Sequence, residues 1–483
     1  MSLSLSSAAI CNRCLCQQAA RRFLTAHGRR SLSFVPYNAD TLSPQAKSTR
    51  PRRRAQTTNG VLPARRFSRR SALREDGVPS PQSLPQSQSP ARPLPTEYRS
   101  EGFVHLHHRR LISITGRDTA KFLQGLVTAN IKPEGLFEHG LVYTAFLNAQ
   151  GRLLADVLLH PWPNDDGLGE TLAQKRGDGA SVFVEVDDAS FETLLKHLRR
   201  HKLRSKINIE PVNPDDVAVY HMWSPTPPES THQPSTSTSI STSPDPRFAA
   251  PGPSNHRCLR RRPDGQDEQT ATVADYTLHR YIHGIPEGPT EIPPSAALPL
   301  ESNIDLLAGI DFHKGCYVGQ ELTIRTKHTG VVRKRILPVL LSRSIESAPI
   351  DVDTLPRRYT SHLPSLDINP SSQDGGRNIL AAPKADAKRR GRPTGKLLGA
   401  VGNIGLALCR LEKMTDLQVS AEAAEELMTE PVTQLADEED VLGGPVYVKA
   451  VVPRYVRQGI EDAKSRKQRK SEDVCEEDDE DGN

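Results

Sequence analysis

Sustained alternation of apolar and polar residues begins near residue 101. Phe103-Val104-His105-Leu106 and Leu111-Ile112-Ser113-Ile114 read as strands. Asp118 then stands as an N-cap ahead of a short helix in which Phe122, Leu123 and Leu126 recur at helical spacing. Residues 141–147, 153–159, 182–186 and 206–212 read as further strands, with a glycine turn at 151 and a helix over 191–202. Isolated helices among strands, without regular strand–helix–strand spacing, predict an α+β fold.

The pattern lapses in the Ser/Thr/Pro tract 224–257, which reads as a surface insertion without structure. It returns as a helix over 276–283, a turn at Gly284-Ile285-Pro286, and a strand over 336–341 that Pro338 places at a sheet edge. Residues 343–393 again read as a disordered insertion. Short strands and glycine turns over 394–408, with a last strand at 445–452, predict a small β-barrel or sandwich. The acidic, helix-like piece 415–440 between them reads as an excursion, and 458–483 as a disordered charged tail. The expected organisation is therefore a leader (1–74), a linker (75–98), an α+β region (101–223 and 274–342) and a C-terminal barrel (394–457).

Composition supports that division. Only 36% of residues are hydrophobic and 5% aromatic, with 39 prolines, so about half of the chain can be packed core. The net charge of +5 hides an asymmetry: residues 1–74 hold fifteen Arg and Lys and one acid, Asp40, for +14, which leaves −9 on the rest. An Arg/Ser-rich, acid-poor leader has the marks of a mitochondrial transit peptide, and the charge excess is then no argument for nucleic-acid binding. No apolar run reaches the 18 residues of a membrane span.

Seven scattered cysteines exclude a disulfide framework. Cys11, Cys14 and Cys16 lie in the leader, Cys258 in a Pro/Arg-rich linker, Cys475 in the acidic tail, and Cys409 in an apolar run that reads as core. Cys316 differs. It sits in a glycine-framed stretch, 309–335, beside Lys314 and His313, with Glu321 and His328 downstream. Neighbouring cations favour a thiolate, the nucleophilic and metal-binding form. A histidine in reach would make a thiol-dependent hydrolase or redox protein, whereas a metal or cluster site needs three or four ligands, more than this stretch supplies.

The run Lys314-Gly315-Cys316-Tyr317-Val318-Gly319-Gln320-Glu321 resembles the K-G-C-Y-x-G-Q-E signature of the YgfZ family. Members of that family resemble the aminomethyltransferase (T protein) of the glycine cleavage system. Gly116-Arg117-Asp118 with Phe122-Leu123-Gln124-Gly125, Leu298-Pro299-Leu300-Glu301-Ser302-Asn303, and Gly405-Leu406-Ala407-Leu408 agree with it. Given the leader, the chain is most similar to the mitochondrial iron–sulfur cluster assembly branch. The resemblance implies α+β domains and a C-terminal β-barrel around a central hole that can hold tetrahydrofolate. It also implies a role in the matrix, late in cluster biogenesis, helping A-type carrier proteins make [4Fe–4S] clusters for client enzymes. Cys316 would then complete an iron–sulfur cluster held transiently and shared with a carrier. Lys314 and Arg325 would line the folate- or cluster-facing surface, with Tyr317, Gly319, Gln320, Glu321, Glu301 and Asn303 around it. The resemblance assigns no catalytic residue. The T protein carries an Asp-Asp pair after a glycine turn; the matching stretch here has Ala155 followed by Asp156, which weakens the alternative of a folate-dependent aminomethyl- or methyltransferase while leaving Asp156 either to hold a pterin or to cap local structure.

Overall fold

The computed structural model describes residues 94–131, 140–162, 181–226, 239–248, 254–261, 269–329, 331–345, 350–361, 376–381, 392–419, 433–435 and 445–480. All lie in one compact unit, Gln86–Asn483. The leader 1–74, with Cys11, Cys14 and Cys16, falls outside the described residues, as does the linker up to residue 93. The end of that linker is not free chain, because Leu94 and Tyr98 pack against an apolar cluster containing Leu278 and Ile336.

The first part of the chain forms β1 (Gly102–His105), β2 (Arg109–Thr115), α1 (Thr119–Gln124), β3 (Val142–Leu147), β4 (Leu153–Pro161), β5 (Val182–Asp187), α2 (Asp188–His201) and β6 (Asn208–Pro211). An antiparallel five-stranded sheet runs β3-β4-β5-β2-β6. Period-two alternation gives this sheet two faces. Ile112, Ile114, Val157, Leu159 and Val184 face one way, into a core with Leu194 and Leu198 of α2. Arg109, Asp156, His160 and Glu185 therefore face the other way, and all four are buried. Asp118 precedes α1 but does not cap it; its carboxylate accepts the Lys206 N–H at 2.7 Å instead.

A four-stranded sheet follows, ordered β1-β7-β9-β8, from β7 (Ala218–Ser224), β8 (Ser239–Pro244) and β9 (Ser254–Arg260). This corrects the reading of 224–257 as structureless. The polar composition misleads because β9 buries Asn255 and Arg257 beside Leu259 and gives them partners. Cys258, expected in a linker, is in the same strand and 3% exposed. Helices α3 (Val273–His283) and α4 (Gly288–Glu291) lead to the loop that carries Cys316 and then to α5 (Gln320–Thr329). Thr272 and Asp275 form a reciprocal capping box at α3, and Gly284, left-handed at φ 71°, ends it.

The C-terminal part is a closed barrel, β10-β13-β12-β11-β14-β15. Its strands are β10 (Lys334–Ser342), β11 (Arg377–Ala381), β12 (Gly395–Val401), β13 (Ile404–Arg410), β14 (Thr433–Leu435) and β15 (Tyr447–Ala450). Two expectations change. Pro338 is not on an edge, since β10 pairs with both β13 and β15. Its carbonyl accepts from Val451 N, so the donor it lacks points to the side where the β15 register begins only at Val339. Residues 343–393 are not wholly an insertion either, because β11 lies between β12 and β14 with Ile379 in the core. The tail reading fails too: α8 (Arg454–Glu480), which follows α6 (Leu355–Arg358) and α7 (Leu411–Met414), packs Val456 and Ile460 against the barrel core. Cys409 is fully buried there as the sequence suggests, and burial pushes its thiol up.

Candidate functional site

Residues 309–319 form a loop pinned at both ends. Asp311 N–H bonds Thr128 O at 3.0 Å, Val318 N–H bonds Gly125 O at 3.1 Å, and the Thr128 hydroxyl donates to Gly309 O at 2.6 Å. Lys314 adds the central pin. Its ammonium donates to Val127 O at 2.7 Å and Ala129 O at 2.6 Å, and lies 5.0 Å from the Tyr317 ring centroid. Partial burial lowers its pKa to about 8, against an upward pull from Asp311. The sequence suggested a cation available to the thiol; the structure commits that ammonium to two carbonyls.

Gly319 is the position where the signature requires glycine. Its φ is +79°, and a Cβ there would collide with Asn148 O in the hairpin between β3 and β4. Gly151, at φ +77°, faces it: a Cβ there would come within 2.8 Å of Gly319 O. Two left-handed glycines let the loop and the hairpin touch backbone to backbone. Tyr317 is 6% exposed and packs with Tyr143, Ala145 and Leu147, while the Gln320 side chain accepts the Tyr317 N–H at 3.2 Å as α5 begins. Between these anchors Gly315 and Cys316 are exposed. Of the cysteines whose side chains the structure describes, Cys258 and Cys409 are buried and Cys316 is exposed.

Other expected residues divide between surface and scaffold. Glu321, Arg325 and His328 are exposed on α5, and His313 is 99% exposed, 3.7 Å from Asp311. Asn303 is scaffold: buried at φ +60°, it donates to Ile336 O at 2.6 Å and accepts from Arg335 at 3.2 Å. Glu301 takes part through its backbone, accepting Ile336 N–H at 2.9 Å, and its half-buried carboxyl is raised by desolvation against the pull of Lys334 and Arg152. These two residues fasten the preceding chain to β10.

Asp156 belongs to a second place, the inner face of the five-stranded sheet. Four guanidiniums, Arg109, Arg247, Arg257 and Arg280, are buried there with five carboxylates, Asp156, Glu185, Asp245, Glu287 and Glu291. Most are tightly paired: Arg109–Glu185 at 2.8 Å, Arg257–Glu287 at 2.8 Å, Arg247–Glu287 and Arg247–Asp245 both at 2.7 Å, and Arg280–Glu291 at 2.8 Å. Asp156 is the acid left over. Its Oδ1 accepts Gly288 N–H at 3.1 Å, while Oδ2 has no hydrogen-bond partner. Burial raises its pKa with help from Glu287, and the pulls of Arg109 and Arg247 do not cancel that rise. The buried Tyr143 hydroxyl also lacks a partner, and burial followed by Asp156 pushes its pKa up.

What connects Asp156 to the loop of Cys316 is Tyr143, whose ring packs with Tyr317 and whose hydroxyl feels Asp156. Ala155 faces the opposite side of the sheet, in the α2 core, so of the pair 155–156 only Asp156 reaches the inner face. Sequence reasoning missed Arg109 and Glu185. Each breaks a strand's apolar pattern at an inward position, beside Leu111 and within 182–186, and that break was the available signal.

This is an α+β protein with a closed C-terminal barrel and a pinned loop presenting one cysteine. Residues 333–434 match the family model described as CAF17, C-terminal beta-barrel domain. The chain is 39% identical over 404 residues to the "Iron-sulfur cluster assembly factor IBA57 homolog, mitochondrial" of Aspergillus clavatus, covering 78% of this chain and 86% of that protein. The protein of the same name from Pyricularia oryzae is 41% identical over 368 residues, covering 74% and 86%. Among solved structures, the glycine cleavage system aminomethyltransferase T from Bartonella henselae aligns with a TM-score of 0.46 and 10% identity, over 75% of this chain and 88% of that one. The chain belongs to the IBA57 family of mitochondrial iron–sulfur cluster assembly factors.

Proposed function

We propose that this chain acts in the mitochondrial matrix, late in iron–sulfur cluster assembly, by lending the Cys316 thiolate to a [4Fe–4S] cluster whose other ligands come from an A-type carrier. The observation that carries this reading is the setting of Cys316: exposed, on a loop fixed by Lys314 and Gly319, where Cys258 and Cys409 are buried. One thiolate is a single ligand of the four that such a cluster takes. The partner therefore supplies the rest, and the completed cluster passes to client enzymes. The decisive measurement is reconstitution of the chain and a carrier with iron and sulfide, followed by absorbance and gel filtration. Cys316→Ser is expected to abolish the cluster-bearing complex. A complex that keeps its cluster in that variant sinks the direct-ligand role.

Two unpartnered polar atoms on the buried face support tetrahydrofolate as its cofactor. The pterin ring presents N–H donors, and Asp156 Oδ2 is a buried acceptor without a partner, beside the equally unpartnered Tyr143 hydroxyl. Asp156 would hold the ring by accepting those donors, with Tyr143 closing one side. When bound, the folate would supply one-carbon chemistry. Calorimetry with tetrahydrofolate is expected to show binding that Asp156→Asn loses; equal binding by both proteins removes Asp156 from the site.

A further inference from the structure

Beside the Cys316 loop runs a cleft of about 400 Å³, walled by the loop, by α5 and by α8. Its surface combines two features that rarely coexist without purpose. Phe312, Val331 and Ile460 give it an apolar lining, with Val331 40% exposed. Lys327, Lys464 and Arg466 supply cations, while the acid in the lining, Asp305, is held by Arg335 in a two-pronged pair at 2.9 and 3.0 Å. Among the described residues of the lining, cations therefore outnumber acids. Lys327 lies 4.5 Å over the Phe312 ring. Burial lowers its pKa most, Asp305 opposes, and the Arg466 guanidinium on the facing helix lowers it further. Like charges held face to face over an apolar floor are unfavourable until an anion comes between them.

We infer that this cleft receives an acidic amphipathic segment of the protein that brings the remaining cluster ligands, its apolar face on Phe312, Val331 and Ile460 and its carboxylates between Lys327, Lys464 and Arg466. The cleft shares Phe312 and His313 with the loop that carries Cys316, so a partner seated there stands beside the thiol. A helix laid in a groove with apolar anchors and charged rims is a common recognition mode. The inference rests on the proposed shared cluster, from which it takes the partner.

The test uses the full chain and a fluorescein-labelled helical peptide with one leucine face and one glutamate face, alongside its glutamine counterpart. Anisotropy is expected to show binding of the glutamate peptide that weakens with salt, falls about tenfold or more in the Lys327→Glu/Arg466→Glu variant, and is displaced by an A-type carrier. Near-equal affinity for the two peptides, or for wild type and variant, overturns the inference. So does a dimer in sedimentation that Val331→Asp disrupts, because the cleft would then be covered by a second copy. The variant leaves Cys316 untouched. Loss of carrier binding with charge reversal but not with Cys316→Ser supports the cleft, even where the cluster experiment fails; the reverse pattern supports the thiol and removes the cleft.

Discussion

At Asp156 the protein tolerates a buried carboxylate with one oxygen unmatched, and that arrangement fixes the sign of a pH effect. Its folded pKa is raised above the unfolded value, so the native state holds the proton more tightly than the unfolded chain. The penalty is fully present above the folded pKa and relieved as pH falls towards the unfolded value near 4. Asp156→Asn is therefore expected to be at least as stable as wild type at pH 7.5, with the advantage shrinking on acidification. Taking the difference between melts of the two proteins removes the acid losses from Glu185, Asp245 and Glu287, whose pKa values are lowered. A deficit for the variant that is largest near neutral pH and shrinks on acidification would mean that the carboxylate is fully paired. The resemblance to the T protein marks Asp156 as a residue of interest, through its matching place after a glycine turn. It could not show the surplus, because that depends on four arginines drawn from strands, a loop and a helix distant in the chain.

Elements are held in place by contacts that tolerate no extra atom, and the signature loop is the clearest case. Gly319 and Gly315 lie four residues apart in the same motif, yet their surroundings are opposite. A Cβ at Gly319 meets the Asn148 carbonyl from a left-handed backbone, whereas one at Gly315 meets nothing within 4 Å. Left-handed strain and the clash together are expected to cost Gly319→Ala roughly 2–3 kcal/mol. Gly315→Ala should change stability little. Urea unfolding of the two variants checks this, and equal midpoints would show that the loop does not depend on its contact with the hairpin. The motif's composition was legible from sequence, and so was Cys316. The use of Lys314 was not: its ammonium serves backbone carbonyls at Val127 and Ala129, and a carbonyl partner leaves no trace in side-chain patterning. The strand β9 was hidden for a related reason, since a strand that buries paired Asn and Arg reads as polar chain.

For the whole molecule, the barrel and the end of the chain form one folding unit, so the boundary expected at residue 458 cuts through a packed helix. Val456 is fully buried, Ile460 is 8% exposed, and Gly459 presses so close to Leu306 that a Cβ would collide with it. Their spacing of i and i+4 puts Val456 and Ile460 on one stripe of α8 against the barrel core. The sequence concealed this because two apolar residues were set among charges, below what a periodicity argument needs. Truncation after Gln468 removes no residue of that stripe and is expected to leave the melting temperature within a degree or two. Truncation after Arg457 removes Ile460 and is expected to destabilise by about 2–5 kcal/mol, the range for losing a buried aliphatic side chain. Ile460→Ala in the full chain should reproduce most of that loss and separates packing from mere shortening. If the protein ending at Arg457 melts with the full chain, α8 is a passive extension and the barrel closes without it.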